Sequence, residues 1–549
     1  MNSIANGLLL IIFLVSYWLA HKLVRAKVNS TLRLPGPGAA HWFWGHELIA
    51  YEAPYEEAYT QWMNLYGLTY KIKGALFHPD IIITADQVAL DYMFGKGTYS
   101  YVKSPFIRPL VERLVGRGLV WAEGSVHKRQ RQQLAPFFTI QAIRDTFSSI
   151  NACVQVGTEN LESHIIEKAG NHKEGLTLDM SEWTSSITLN IIGRFAFNYD
   201  FESGQGHAAQ LIKHTWREQV KAGLHWTALL GQVAARAVPF VANLPIPFLE
   251  AQLAVKRKLR EISQSIIEQD VNEGQEKDML TTMVRLSSKG KITSTQDELH
   301  DHVCTMVIAG QETTAGSLGF GLHQLALNPE HQTRLREEII QLGREPTYDD
   351  LMSGMPWLDA VTKERHVYFT LSLHDIFLDA RTSFRHRPIV SHMERVAAED
   401  CVLKLGVPVQ TSDGSQITEI PLKSGQIIHI PTMAMNHMKF VWGDDADEFK
   451  PERWLDLARL ERVDKNFGWN GTLVFSEGPR QCIGYRMAIL SFKTVLAAHI
   501  RKFEFHDTGA VVHGRLVGTM QPYVAGEEDK GPQVPLRVSL VDELGSYSK

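Results

Sequence analysis

The sequence predicts a mainly α-helical body with a smaller β region, preceded by one N-terminal transmembrane helix. Three observations carry this. Ile4 to Ala20 is almost continuously apolar. Most of the remainder places apolar residues at helical spacing, notably over 126–150, 176–198, 249–273 and 328–343. Strand-like runs stand at 67–84 and 402–431, the second with turns at Ser412-Asp413-Gly414 and Lys423-Ser424-Gly425.

The apolar N-terminal run is long enough, at about 26 Å as a helix, to approach the thickness of a thin bilayer, and Leu23 and Val24 extend it. Tyr17 and Trp18 fall where an interfacial aromatic belt is expected. Lys22, Arg25 and Lys27 follow, and no Lys or Arg precedes, so the positive flank and the rest of the chain are expected on the cytosolic side. A cleaved signal peptide fits less well: its leading segment is normally basic, and Trp18 stands where a small residue is needed. On this topology the sequons at Asn29 and Asn470 go unused. We therefore divide the chain into an anchor (1–27), a hinge rich in Pro and Gly around Leu34-Pro35-Gly36-Pro37-Gly38 (28–45), and one globular body (46–549) without an internal linker.

Composition excludes several classes. With 44% hydrophobic and 21% charged residues among 549, the chain is neither disordered nor a polytopic membrane protein. A net charge of −5 gives no support to a nucleic-acid partner. The four cysteines, Cys153, Cys304, Cys401 and Cys482, form no CxxC pair, which argues against a zinc ribbon or a disulfide scaffold. One cysteine with a special task remains.

Cys482 has the setting for it. It lies in Phe475-Ser-Glu-Gly478-Pro-Arg480-Gln-Cys482-Ile-Gly484-Tyr-Arg, directly before a helical run to Arg501. A helix N-terminus favours thiolate through its dipole and free N–H groups. Gly478 and Gly484 let backbone pass close to a bulky planar group, and Arg480 offers a guanidinium to a carboxylate.

The spacing Phe475-x-x-Gly478-x-Arg480-x-Cys482-x-Gly484 resembles the haem-ligand loop of the cytochrome P450 family, with microsomal fungal members the most similar. The resemblance implies that Cys482 is the axial thiolate of haem b iron, a ligand that favours O–O cleavage. It implies that Phe475 packs near the haem and Arg480 binds a propionate. His127 and Arg131 in His127-Lys128-Arg129-Gln130-Arg131, together with Arg395, match further propionate contacts. The other basic residues of that run are offered to an acidic redox partner.

A second region is consistent with this. Thr295-Gln296-Asp297-Glu298 is a capping box opening a helix that Asn328-Pro329 stops. The helix contains Ala309-Gly310-Gln311-Glu312-Thr313-Thr314. A mid-helix glycine is unfavourable by about 1 kcal/mol and calls for a reason. Here the reason is that Gly310 lets a flat ligand lie on the backbone. Glu312 and Thr313 supply an acid beside a hydroxyl; by resemblance they relay protons in dioxygen chemistry.

One segment departs from the family pattern. The family expects Glu-x-x-Arg on a helix, and Glu364 is followed three residues later by Val367. Deleting the 18 residues 365–382 restores Lys-Glu-Ser-Phe-Arg-His-Arg-Pro and pairs Glu364 with Arg385. The segment has the coding length of a short intron and reads as a retained intron or a gene-model error. A genuine insertion, the alternative, moves Arg385 off its helical position unless the insert loops out. Phe449-Lys450-Pro451-Glu452-Arg453-Trp454 matches the motif whose arginine, Arg453, joins that pair.

The implied activity is monooxygenation of a small hydrophobic substrate by dioxygen, with electrons from NADPH through NADPH-cytochrome P450 reductase, at the endoplasmic reticulum membrane. Family habit points to secondary metabolism or xenobiotic oxidation. By analogy the pocket draws on 100–120, 215–248, Val303 to Thr313, 388–393 and 517–523, including Phe106, Trp226 and Phe240. Two alternatives stay open here: a haem-thiolate isomerase or dehydratase that does not use dioxygen, and a haem-free membrane protein disabled by 365–382.

Overall fold

A computed structural model of the chain describes residues 33–76, 78–169, 175–237, 247–273, 278–364, 385, 388–456 and 471–541. The expected anchor, Asn29, Phe240, Asn470 and the segment 365–382 lie outside them. Among the described residues no helix is long and apolar enough to cross a membrane.

The strands are β1 (Thr69–Ile72), β2 (Ile81–Thr84), β3 (Tyr101–Val102), β4 (Leu176–Asp179), β5 (Met393–Ala397), β6 (Cys401–Gln410), β7 (Gln416–Leu422), β8 (Ile427–Ile430), β9 (Phe503–Asp507), β10 (Val512–Val517), β11 (Thr519–Val524) and β12 (Pro535–Leu540). The helices used below are α1 (Gly124–Leu134), α2 (Phe147–Ala169), α3 (Met180–Phe197), α4 (His207–Leu224), α5 (Pro247–Glu273), α6 (Gln296–Leu327), α7 (Pro356–Lys363) and α8 (Tyr485–Lys502).

The chain forms two compact units: residues up to 107 with 229–243 and 392–435, and residues 108–228, 244–391 and 436–549. No shift in composition marks the crossings, which is why the sequence reads as one body. The first unit holds a sheet in the order β1-β2-β8-β5-β3. Its middle strands β2 and β8 pair in parallel, Ile82 opposite Ile428, and every residue in both is buried. That explains why both are Ile-rich, since a strand covered on both faces has no solvent-facing side. The Pro/Gly segment is docked here rather than swinging free. Leu34 is buried, the Lys71 N–H donates to the Pro35 carbonyl at 2.9 Å, and a Cβ on Gly36 would stand 2.1 Å from the Lys71 carbonyl oxygen.

The second unit is built on α6, whose residues from Leu299 to Ile308 are all buried. It packs on α3, α5 and α8. Thr295 caps it as expected, its Oγ1 accepting from the Glu298 N–H at 3.2 Å. A small sheet β4-β12-β9 and the hairpin β10–β11, turned at Gly518 with φ +81°, complete the unit. Two helical expectations are corrected. Residues 176–179 form strand β4, because β12 offers a partner from Pro535 to Val538. The 126–150 run breaks at Ala135–Phe138, where Pro136 cannot continue the helix ladder of α1.

Candidate active site

The cysteine loop is shaped by its backbone. Ser476 and Gly478 adopt positive φ of 56° and 65°, and a tight turn spans Gly478–Arg480. The Cys482 N–H donates to the Phe475 carbonyl at 2.7 Å, closing the loop on itself. Phe475 is buried against Tyr485, with ring centroids 6.0 Å apart. Gly484 is the residue before α8; a Cβ there would meet only Phe138 at an ordinary 3.6 Å. The positive φ therefore requires Gly478, whereas no close protein neighbour requires Gly484.

Two bonds fasten this loop to α1. Arg131 Nη1 donates to the Gln481 carbonyl at 2.7 Å. Arg480 makes a two-pronged ion pair with Glu123, just ahead of α1, and both side chains are largely buried. The Arg480 guanidinium, expected on a propionate, thus already meets a carboxylate. Glu123 escaped the sequence reading because an acid before a helix reads as an ordinary cap, yet its side chain caps nothing. His127 is buried one turn before Arg131, on the same helix face. Arg129, offered above to an acidic partner, is instead engaged by Glu298 of α6 and by the Thr293 carbonyl at 2.6 Å. Lys128 is exposed.

Cys482 is enclosed by protein, yet its surface is open to a water-sized probe. It therefore borders internal space. Burial pushes its thiol up, against the Gly484 N–H bond and the Arg131 charge. This corrects the expectation of a lowered pKa: α8 begins at Tyr485, three residues on, and one N–H with one cation does not offset desolvation. Between Leu299 and Ala326 of α6, Ala309 is exposed, Gly310, Thr313 and Gly316 are half-buried and the rest are buried, and Ala309, Thr313 and Gly316 share a face at i, i+4 and i+7. Gly310 does not belong to it. A Cβ on Gly310 would come within 2.7 Å of Ile192 Cδ1, so that glycine serves the close packing of α6 on α3.

Glu312 and Thr313 diverge, as consecutive helical residues must, by about 100°. Thr313 Oγ1 donates to the Ala309 carbonyl at 2.7 Å. Glu312 is buried and accepts from Thr519 Oγ1 and, at 2.6 Å, from Gln521 Nε2, both on β11. Burial pushes its carboxyl up to about 8, against the Thr519 bond. The resemblance assigns 517–523 to the pocket, but nothing in the sequence pairs Thr519 or Gln521 with Glu312, more than 200 residues away.

Glu364 ends α7 with an extended backbone, ψ 171°. Arg385 donates to it from Nε at 3.1 Å and Nη2 at 2.8 Å, Arg453 Nε at 3.0 Å, and Trp454 Nε1 at 2.7 Å. Glu364 and Arg385 have no exposed surface. Arg385 is thus off the helix, yet it returns to Glu364 across the departing segment. Arg395 belongs to the first unit, where its Nη1 donates to the Glu394 carbonyl at 2.9 Å and its guanidinium lies 5.9 Å from the Phe94 ring centre.

Residues 35–366 and 383–513 match the family described as Cytochrome P450. The chain belongs to the cytochrome P450 family. Cytochrome P450 monooxygenase claQ of Ampulloclitocybe clavipes is 30% identical over 550 residues, covering 96% of this chain and 97% of its own. claW of the same organism is 30% identical over 565 residues, 98% of each. Cytochrome P450 monooxygenase 128 of Postia placenta is 28% identical over 551 residues, 95% of each. As a P450, the chain is a haem-thiolate monooxygenase, and haem b is its cofactor. The residues present fit that group: an enclosed but accessible sulfur is a donor suited to iron, and cation binding would remove the proton that burial retains. The P450 match leaves 367–382 aside and resumes at 383.

Proposed function

We propose that Cys482 supplies the axial thiolate of this P450, and that His127, Arg131, Arg395 and Arg480 receive the haem propionates, Arg480 by exchanging its Glu123 partner. The carrying observation is the Cys482 sulfur itself, enclosed by protein yet accessible, in a loop fastened by the Phe475 carbonyl and by Arg131. Haem, when bound, supplies the activation of dioxygen. The chain's own residues exclude water, orient substrate and deliver protons. Phe475 covers the thiolate side with apolar surface. Glu312, neutral at pH 7 by burial, is a proton donor, and Thr313 offers a hydroxyl on the face of α6 that it shares with Ala309 and Gly316. Glu364, Arg385 and Arg453 brace the segment ahead of the cysteine loop.

The substrate we assign is a small hydrophobic organic molecule, in keeping with the apolar segments at 100–120 and Val303 to Thr313. Electrons come from NADPH through the P450 reductase. Residues 1–27 anchor the chain in the endoplasmic reticulum membrane with the catalytic body, 46–549, in the cytosol. Segment 365–382 is a retained intron or gene-model error, supported by the P450 match that passes over 367–382. Messenger RNA from the host that always contains it would sink that reading.

The test is a carbon-monoxide difference spectrum of the reduced protein. The full chain should give the strongly red-shifted Soret band of thiolate ligation, and Cys482→Ala should abolish it. A thiolate spectrum surviving in that variant refutes the assignment.

A further inference from the structure

Glu312 is one of the residues lining a cavity of about 210 Å³ between α3, α4, α6 and the β10–β11 hairpin, with room for several waters. Its walls are more apolar than polar, and on them Gln311 Nε2 donates to Ser185 Oγ. Thr519 and Gln521 stand two residues apart on β11, so both side chains leave the strand on one face. That face meets Glu312, and Gln521 Nε2 also donates to Thr519 Oγ1 at 2.8 Å, tying the two donors together.

We propose that Thr519 and Gln521 are positioning residues that hold the Glu312 carboxyl beside this cavity, the side from which it is resupplied with protons. The inference rests on the reading of Glu312 as a proton donor. In each cycle the carboxyl O–H gives one proton toward the Thr313 side and takes one from bulk solvent, relayed through water in the cavity so that each water that gives a proton receives another. No net charge is left behind. The ionisable groups on the cavity walls are Glu182 of α3 and Lys213, His214 and Arg217 of α4. Glu182 is bound by Arg217 at 2.6 Å and Lys213 donates to Ser186 at 2.7 Å. Among the described residues none forms an ion pair with Glu312, so its two neutral donors dominate its surroundings. Both favour the charged carboxylate, and the Thr519 bond opposes the upward push of burial.

The experiment is infrared titration of the protonated carboxyl band in the haem-loaded full chain, with Glu312→Gln identifying the band by its loss. Thr519→Val and Gln521→Leu should each raise the titration midpoint by about one pH unit. Thr519→Ser should keep the parent midpoint, because it retains the hydroxyl. A midpoint unmoved in both variants, or a Thr519→Ser midpoint shifted as far as that of Thr519→Val, overturns the proposal. If one variant does not load haem, the other decides. Failure of the donor reading is seen separately: Glu312→Gln would then leave product formed per NADPH unchanged, while the infrared result stands.

Discussion

Glu364 and Glu312 are both buried carboxyls in the same unit, and their charge states are opposite. Around Glu364 stand two guanidiniums and an indole N–H. Burial alone would raise its pKa, but the charges of Arg385 and Arg453 outweigh that and hold it below the ordinary carboxylate range. Around Glu312 stand a hydroxyl and an amide, and burial wins. The difference teaches that burial sets the size of the desolvation penalty, while the presence of a cation decides the protonation state. One carboxyl is thereby a fixed structural anion. The other is a group able to exchange a proton near neutral pH.

The sharpest way to break this comparison is to remove the anion. Glu364→Gln removes the carboxylate that both buried guanidiniums share, leaving Arg453 only Asp445, and should lower stability by about 3–5 kcal/mol, read from the urea midpoint. A loss under about 1 kcal/mol would mean that the network is not ionised. The parent contribution should be full above the ordinary carboxyl range and fade as pH falls through the depressed pKa of Glu364.

Glu312→Gln should do the reverse. Between the ordinary carboxyl value of 4.5 and about 8, the folded chain retains a proton that the unfolded chain releases, so parent stability falls as pH rises. The variant should therefore gain roughly 2–4 kcal/mol over the parent at pH 8 and almost nothing at pH 4, seen in thermal unfolding at the two pH values. An equal gain at both would show that the carboxyl is already ionised in the fold.

Smaller changes grade the Glu364 site. Arg453 Nη1 also donates to the Trp442 carbonyl at 2.8 Å and Nη2 to the Asp445 carbonyl at 2.7 Å, a fork that lysine cannot reproduce. Arg453→Lys should lower stability by about 2 kcal/mol in the same urea assay. Trp454→Phe, which deletes one N–H donor to Glu364, should lower it by about 1.5 kcal/mol. If Trp454→Phe proves the more damaging, packing rather than charge governs the site.

Much of this was legible in advance where the signal is local. The capping box at Thr295, the helix stop at Asn328-Pro329 and the cysteine loop are written in consecutive residues. The Glu364–Arg385–Arg453 pairing was readable because the motif survives around 365–382. Gly310 was visible as an anomaly, but its reason was not: Ile192 lies on another helix. The same holds for Arg480, whose carboxylate partner Glu123 is 357 residues away.

The sequence by itself determined the helical class, the position of Cys482 ahead of a helix and the residue types the family chemistry needs. Periodicity, caps and turn glycines act within a few residues and leave their marks there. Only the tertiary structure decided that Glu312 turns to Thr519 and Gln521, that Arg480 meets Glu123, and that burial raises the Cys482 thiol. Those outcomes depend on which distant segments pack together and how much water they exclude. A carboxyl or thiol responds to that enclosure, and no neighbouring residue in the chain records it.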